Sequence, residues 1–121
     1  MSMKILSIED QEDNRRIIRD LFTSAGYEVI EAVTGEEGVH LASSCRPDVI
    51  LMDIQLPGLD GYEATRRIKA IPGLHGVPII VVTSYALGGD EEKARAAGGD
   101  AYIVKPYNPH QLLQTVRQHL H

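Results

Sequence analysis

Four kinds of side chain in this sequence could act together on a phosphoryl group. Glu9 and Asp10 stand side by side after the apolar run Ile5-Leu6-Ser7-Ile8, and Asp53 follows Val49-Ile50-Leu51-Met52. Thr83 closes the run Ile79-Ile80-Val81-Val82, and Lys105 follows Ala101-Tyr102-Ile103-Val104. Three carboxylates brought together repel one another and push at least one pKa upward. A hard divalent cation relieves that repulsion. Mg²⁺ suits the task because it prefers oxygen ligands, keeps several waters and often shares its shell with phosphate. Lys105 adds a mobile point charge for a phosphate oxygen, and Thr83 adds a neutral hydroxyl donor. In such a set Asp53 attacks phosphorus as the nucleophile, while the others neutralise charge on the equatorial oxygens.

This chemistry requires that the apolar runs be neighbouring strands with their carboxyl ends on one edge. The sequence meets that requirement. Five short runs, Lys4–Ile8, Glu28–Ala32, Asp48–Met52, Pro78–Thr83 and Ala101–Val104, read as strands. The third and fourth are continuously apolar, as expected of parallel strands covered on both faces. The second is more mixed and suits a sheet edge. Between them lie helical patterns. Ile17, Ile18, Leu21, Phe22 and Ala25 recur at helical spacing, with Gly26 as the closing residue. Thr34 and Glu37, then Asp60 and Glu63, have capping-box spacing. Gly88-Gly89 and Gly98-Gly99 bracket a fourth helix, and Asn108-Pro109 opens a fifth that carries Leu112, Leu113, Val116 and Leu120. Five strand–helix repeats predict an α/β, doubly wound (βα)5 fold with one parallel sheet. Its site lies outside the carboxyl ends of the strands, where the strand order reverses.

The remaining arithmetic excludes several classes of function. A chain of 121 residues is about one domain, here 1–121, and is large enough to bury a core. Twelve Lys and Arg against 17 Asp and Glu give a net charge of −5, which argues against direct nucleic-acid binding and against an anionic membrane surface. A lone Cys45 rules out an internal disulfide, and no apolar run approaches a membrane span. His40, His75, His110, His119 and His121 share no metal spacing. The expectation is a cytoplasmic protein.

The ordered set Glu9-Asp10, Leu51 through Gly61 around Asp53, Val82-Thr83-Ser84 and Lys105-Pro106 resembles the receiver domain of two-component response regulators, from Lys4 to Leu120. The pattern is similar to stand-alone receivers and to those of hybrid kinases, and it implies a flavodoxin-like five-stranded parallel sheet of order 2-1-3-4-5. The resemblance implies that Asp53 accepts a phosphoryl group from a phosphohistidine on a histidine kinase or phosphotransfer protein. It implies Mg²⁺ on Asp10, Asp53 and the Gln55 carbonyl, with Glu9 linked directly or through water. It places Lys105 on a phosphate oxygen, with a cis bond to Pro106. Thr83 would shift toward the phosphoryl group, Tyr102 would rotate inward, and the Ser84 N–H would donate to the phosphate. Gln55 and Tyr85 would flank the phosphoryl group and set the self-dephosphorylation rate. The readout would be a downstream protein bound at the helix 4/strand 5/helix 5 face, roughly Leu87 to Gln114, a face that also leaves room for a homodimer.

Three rivals compete with this reading. An aspartyl-phosphate hydrolase needs a second Asp two residues after its nucleophile, where this chain has Gln55; the chain is therefore expected to act only on its own phosphorylation and dephosphorylation. A flavodoxin-like cofactor binder needs a phosphate-cradling loop after the first strand, where this chain has Glu9-Asp10-Gln11-Glu12-Asp13. A phosphorylation-independent interaction module of the same fold would have lost acceptor-site residues that are all present here.

Overall fold

The structure is a computed structural model that describes residues 2–84 and 90–120. Five strands, β1 (Lys4–Ile8), β2 (Glu28–Ala32), β3 (Val49–Asp53), β4 (Ile79–Thr83) and β5 (Ala101–Val104), form one parallel sheet in the order β2-β1-β3-β4-β5. The helices α1 (Glu12–Ser24), α2 (Gly35–Cys45), α3 (Gly61–Lys69), α4 (Asp90–Ala97) and α5 (Pro109–His119) alternate with them. This is the predicted (βα)5 topology, with the mixed strand β2 at the edge.

Three strand boundaries differ from the prediction by one residue: the start of β4 and both ends of β3. Pro78 has no N–H to give to a ladder, so β4 starts at Ile79 while the Pro78 carbonyl still accepts from Ile50 N–H at 2.9 Å. The Asp48 side chain accepts from Lys4 N–H at 2.7 Å, which ties down the approach to β3. β3 runs from Val49 to Asp53, and Asp53 is the last residue of its strand, level with Val82 of β4.

Strand alternation divides the core between the two faces. On one face Ile5, Val49, Leu51, Ile80 and Ile103 pack against Ile18 and Phe22 of α1 and Leu112 and Val116 of α5. On the other, Leu6, Ile8, Ile50, Met52, Ile79 and Val81 pack against Ala42 of α2, Ala64 and Ile68 of α3 and Ala94 of α4. The expected stripe on α1 needs one correction. Ile17 and Ile18 are adjacent, about 100° apart on the helix, so they do not both face the sheet. Ile18 is buried, whereas Ile17 is 47% exposed.

The caps position the helix starts at the sheet edge. Thr34 accepts from Glu37 N–H at 3.0 Å, Asp60 from Glu63 N–H at 2.9 Å and Asn108 from His110 N–H at 2.8 Å. Only the first resembles a capping box. Glu37 reaches back to Val33 N–H, while Glu63 pairs with Arg66 and Arg67 of its own helix. Ala25 caps α1, and Gly26 follows it at φ 93°. Gly98 closes α4 at φ 109°.

Gly61 bears directly on the site. A Cβ there would lie 2.3 Å from the Asp53 carbonyl oxygen and 2.7 Å from Ile54 Cα, both backbone atoms. The start of α3 therefore rests on the strand end that carries Asp53. Gly61→Ala is expected to cost about 3 kcal/mol, the upper end for over-packing. In thermal melts that corresponds to a fall of roughly 10 °C in Tm for a chain of this length. An unchanged Tm would mean that α3 can lift from the strand freely.

Candidate functional site

The carboxyl ends of β1, β3 and β5 bring Glu9, Asp10, Asp53 and Lys105 to one edge. Glu9 and Asp53 are buried, at 2% and 4% exposure, and Asp10 is half-buried. Each of the three acids places a carboxylate oxygen within 4.8 Å of the others. Lys105 Nζ lies 2.8 Å from Glu9 Oε1 and 3.3 Å from Asp53 Oδ2. Each of these two carboxylates also accepts a backbone N–H from two residues further on. Gln11 N–H donates to Glu9 Oε2 at 3.1 Å, and Gln55 N–H donates to Asp53 Oδ1 at 2.9 Å. Arg15 of α1 donates to the Glu9 carbonyl at 2.9 Å and so ties the end of β1 to that helix.

The electrostatics follow from this crowding. Burial pushes the Glu9 carboxyl above its ordinary value, and hydrogen bonding to neighbouring Asp53 adds to the rise; Lys105 and Gln11 N–H pull the other way. Burial would lower the Lys105 ammonium, but its bond to Glu9 and the charges of Asp53 and Glu9 outweigh that and raise it. Tyr107 is raised by burial; the Lys105 charge opposes the rise, and Glu9 and Asp53 add to it. One ammonium thus neutralises part of a three-carboxylate cluster, and net negative charge remains. All-oxygen donors with surplus negative charge, close enough to share one ion, suit a hard divalent cation such as Mg²⁺.

The other predicted residues distribute around this centre. Thr83, 1% exposed, ends β4, and Tyr102 is half-buried in β5. Tyr102 packs with the core of the α2–α4 face, and Thr83 shares the strand parity of Val81 on that face. Ser84 is exposed, and the Lys105–Pro106 peptide bond is cis, as expected. Tyr85 lies outside the described residues, as do Gly88 and Gly89. An open groove of about 420 Å³ begins beside Lys105, lined by Asn14, Ile17, Ser84, Pro106, Tyr107 and Pro109. Sequence reasoning placed Ile17 on the core stripe of α1, and it missed both Ile17 and Tyr107 as site neighbours. The one available signal for Tyr107 was its position two residues after Lys105.

A family model for the response regulator receiver domain matches residues 5–117. The chain belongs to the response regulator receiver family. The polar-differentiation response regulator DivK of Brucella anthropi is 42% identical over 120 residues, which cover 99% of this chain and 98% of the relative. DivK of Brucella ovis is 41% identical over the same span. Among solved structures, the chemotaxis protein CheY4 of Vibrio cholerae superposes with a TM-score of 0.94 at 29% identity, covering 99% of this chain and all of that one. The receiver domain of the Pseudomonas aeruginosa sensor histidine kinase PA1611 superposes with a TM-score of 0.90 at 39% identity, covering 98% and 97%. That structure holds a magnesium ion coordinated in its active-site cleft. The receiver fold and family place this chain among the phosphoacceptor signalling domains of two-component systems, not among classical enzymes. Among the described residues, no helix is long and apolar enough to cross a membrane.

Proposed function

We propose that the chain works as one receiver unit over residues 1–121 and that Asp53 is its phosphoacceptor. The observation that carries this reading is the cluster itself. Asp53 ends β3 with one oxygen on Gln55 N–H and the other on Lys105, beside Glu9 and Asp10. A carboxylate so held is oriented for in-line attack, and Lys105 is poised to exchange a carboxylate oxygen for a phosphoryl oxygen. Mg²⁺ would be held by Asp10, Asp53 and the Gln55 carbonyl. When bound, it neutralises charge on the transferring group. Glu9, in the same cluster, would be linked to the metal directly or through water. Intact mass after incubation with a small phosphodonor, with and without Mg²⁺, tests the reading. One Mg²⁺-dependent adduct is expected, and its absence would favour a phosphorylation-independent interaction module.

The donor would be a phosphohistidine on a histidine kinase or phosphotransfer protein. The groove at Ile17, Pro106 and Pro109 supports its docking there, because an exposed apolar side chain shares that groove with Lys105, which bonds Asp53. Ile17→Asp is expected to slow transfer from a protein donor about tenfold, the loss of one apolar anchor. Uptake from a small phosphodonor should be unchanged. Equal slowing with both donors would remove the docking role.

A phosphoryl group adds about two negative charges next to Thr83. We infer that Thr83 and Tyr102 carry this change to the face of α4, β5 and α5, where a downstream protein would bind. The Ser84 N–H would donate to the phosphoryl oxygens, and Gln55 with Tyr85 would set its lifetime. Equal partner affinity for the unmodified protein and a stable phosphoryl mimic would sink the output claim.

A further inference from the structure

Beneath the acidic cluster lies a second, much smaller space. A cavity of about 10 Å³ sits between the sheet and α1, and its walls include Ser7, Glu9, Ile18, Asp53, Lys105 and Tyr107. It has room for one water. Ile5, Ser7 and Glu9 share one strand parity, so Ser7 faces α1 directly below Glu9. Ser7 is 1% exposed. Among the described residues, its Oγ is the only fully buried side-chain nitrogen or oxygen without a hydrogen-bond partner in the protein. Buried hydroxyls are rarely left so, because a desolvated, unpaired donor is costly. Lys105 has three donors and spends two on Glu9 and Asp53. Tyr107 and Lys105 line both this cavity and the outer groove, and so stand between them.

We propose that this cavity is a binding site for a single internal water. Ser7 Oγ holds it from below, and at least one of Glu9, Asp53, Lys105 and Tyr107 holds it from above. Purely apolar cavities stay dry, whereas a water needs two to four polar partners, and these walls supply them. The site accounts for a serine in the middle of an otherwise apolar strand. It gives the buried carboxylates a polar contact on their inner side.

A crystal structure of the unphosphorylated protein at a resolution where ordered waters are visible tests the proposal. The expected result is a water peak within hydrogen-bond distance of Ser7 Oγ and of one polar atom above it. No peak there, or Ser7 Oγ turned onto a protein carbonyl, overturns the proposal. Ser7→Val fills the space, and magnetic relaxation dispersion should then count one long-lived internal water fewer than in the parent. An equal count overturns it. Should the valine variant fail to fold, Ser7→Ala gives the second reading. Loss of a water-bonded hydroxyl lowers Tm, whereas loss of an unpaired one raises it, and a rise overturns the proposal.

Discussion

Asp53→Asn is expected to take up no phosphoryl group under conditions where the parent protein shows a single adduct by intact mass. The substitution is nearly isosteric. The side-chain oxygen of asparagine still accepts from Gln55 N–H, which now holds Asp53 Oδ1 at 2.9 Å. The start of α3 still rests on the backbone at residue 53. What disappears is the nucleophile, since an amide oxygen does not attack phosphorus at a useful rate. Removing one of three clustered acids also relieves repulsion around Glu9, so the Tm of the variant should match or exceed that of the parent. A complete loss of adduct in a folded variant assigns the acceptor. An adduct that persists would move the chemistry to Asp10 or Glu9, the other carboxylates of the cluster.

Lys105→Ala is expected to damage both chemistry and stability. Loss of a preorganised donor at the transferring group slows uptake from a small phosphodonor about 10²-fold. Loss of the ammonium also leaves Glu9 and Asp53 buried beside each other without their shared cation. Breaking a buried pair by removing one partner costs about 3 kcal/mol at the lower end of the known range. The lower end applies here because 16% of the lysine side chain is exposed. The cost depends on pH. Burial already raises the Glu9 carboxyl, and without Lys105 it rises further. An acid whose folded pKa lies above its unfolded value of about 4.3 takes up a proton on folding, so its contribution to stability is full below that value and is lost as pH rises through the folded pKa. The deficit of Lys105→Ala relative to the parent should therefore be largest at neutral pH and shrink as pH falls toward 4.3. Denaturant melts in metal-free buffer across that range would show it. A deficit that grows on acidification would mean that Lys105 does not screen Glu9.

The acidic pair, Asp53 and Lys105 were legible because each follows an apolar run of strand length, and parallel strands must end on one edge. The mixed composition of β2 pointed to its edge position, whereas the sheet order came with the family resemblance. The pairing of Lys105 with Glu9, 96 residues apart, was not legible, because sequence brings both to an edge without saying which charges meet there. Ile17 was misread because an apolar residue beside another fits a core stripe until helical geometry forces a choice between them. Ser7 passed unnoticed inside an apolar run, where only its lack of a protein partner marks it out. The fourth-helix start expected at Gly88-Gly89 lies outside the described residues, so that part of the reading rests on sequence alone.

The alternation of side chains along the strands has a consequence for how such a domain diversifies. Asp53, Glu9 and Lys105 share strand parity with the α1/α5 face, whereas Tyr102 and Thr83 belong to the face covered by α2, α3 and α4. The groove with Ile17 opens on the first side. In the proposed function the reacting carboxylate and the two residues that pass its change on thus stand on opposite sides of one sheet, while α5 borders both the groove and the output face. A substitution at Ile17 of α1 retunes the donor side alone, whereas one at the start of α5 reaches both. Duplicated receivers that diverge on α1 would in this way be insulated from crosstalk at the input while keeping their output intact.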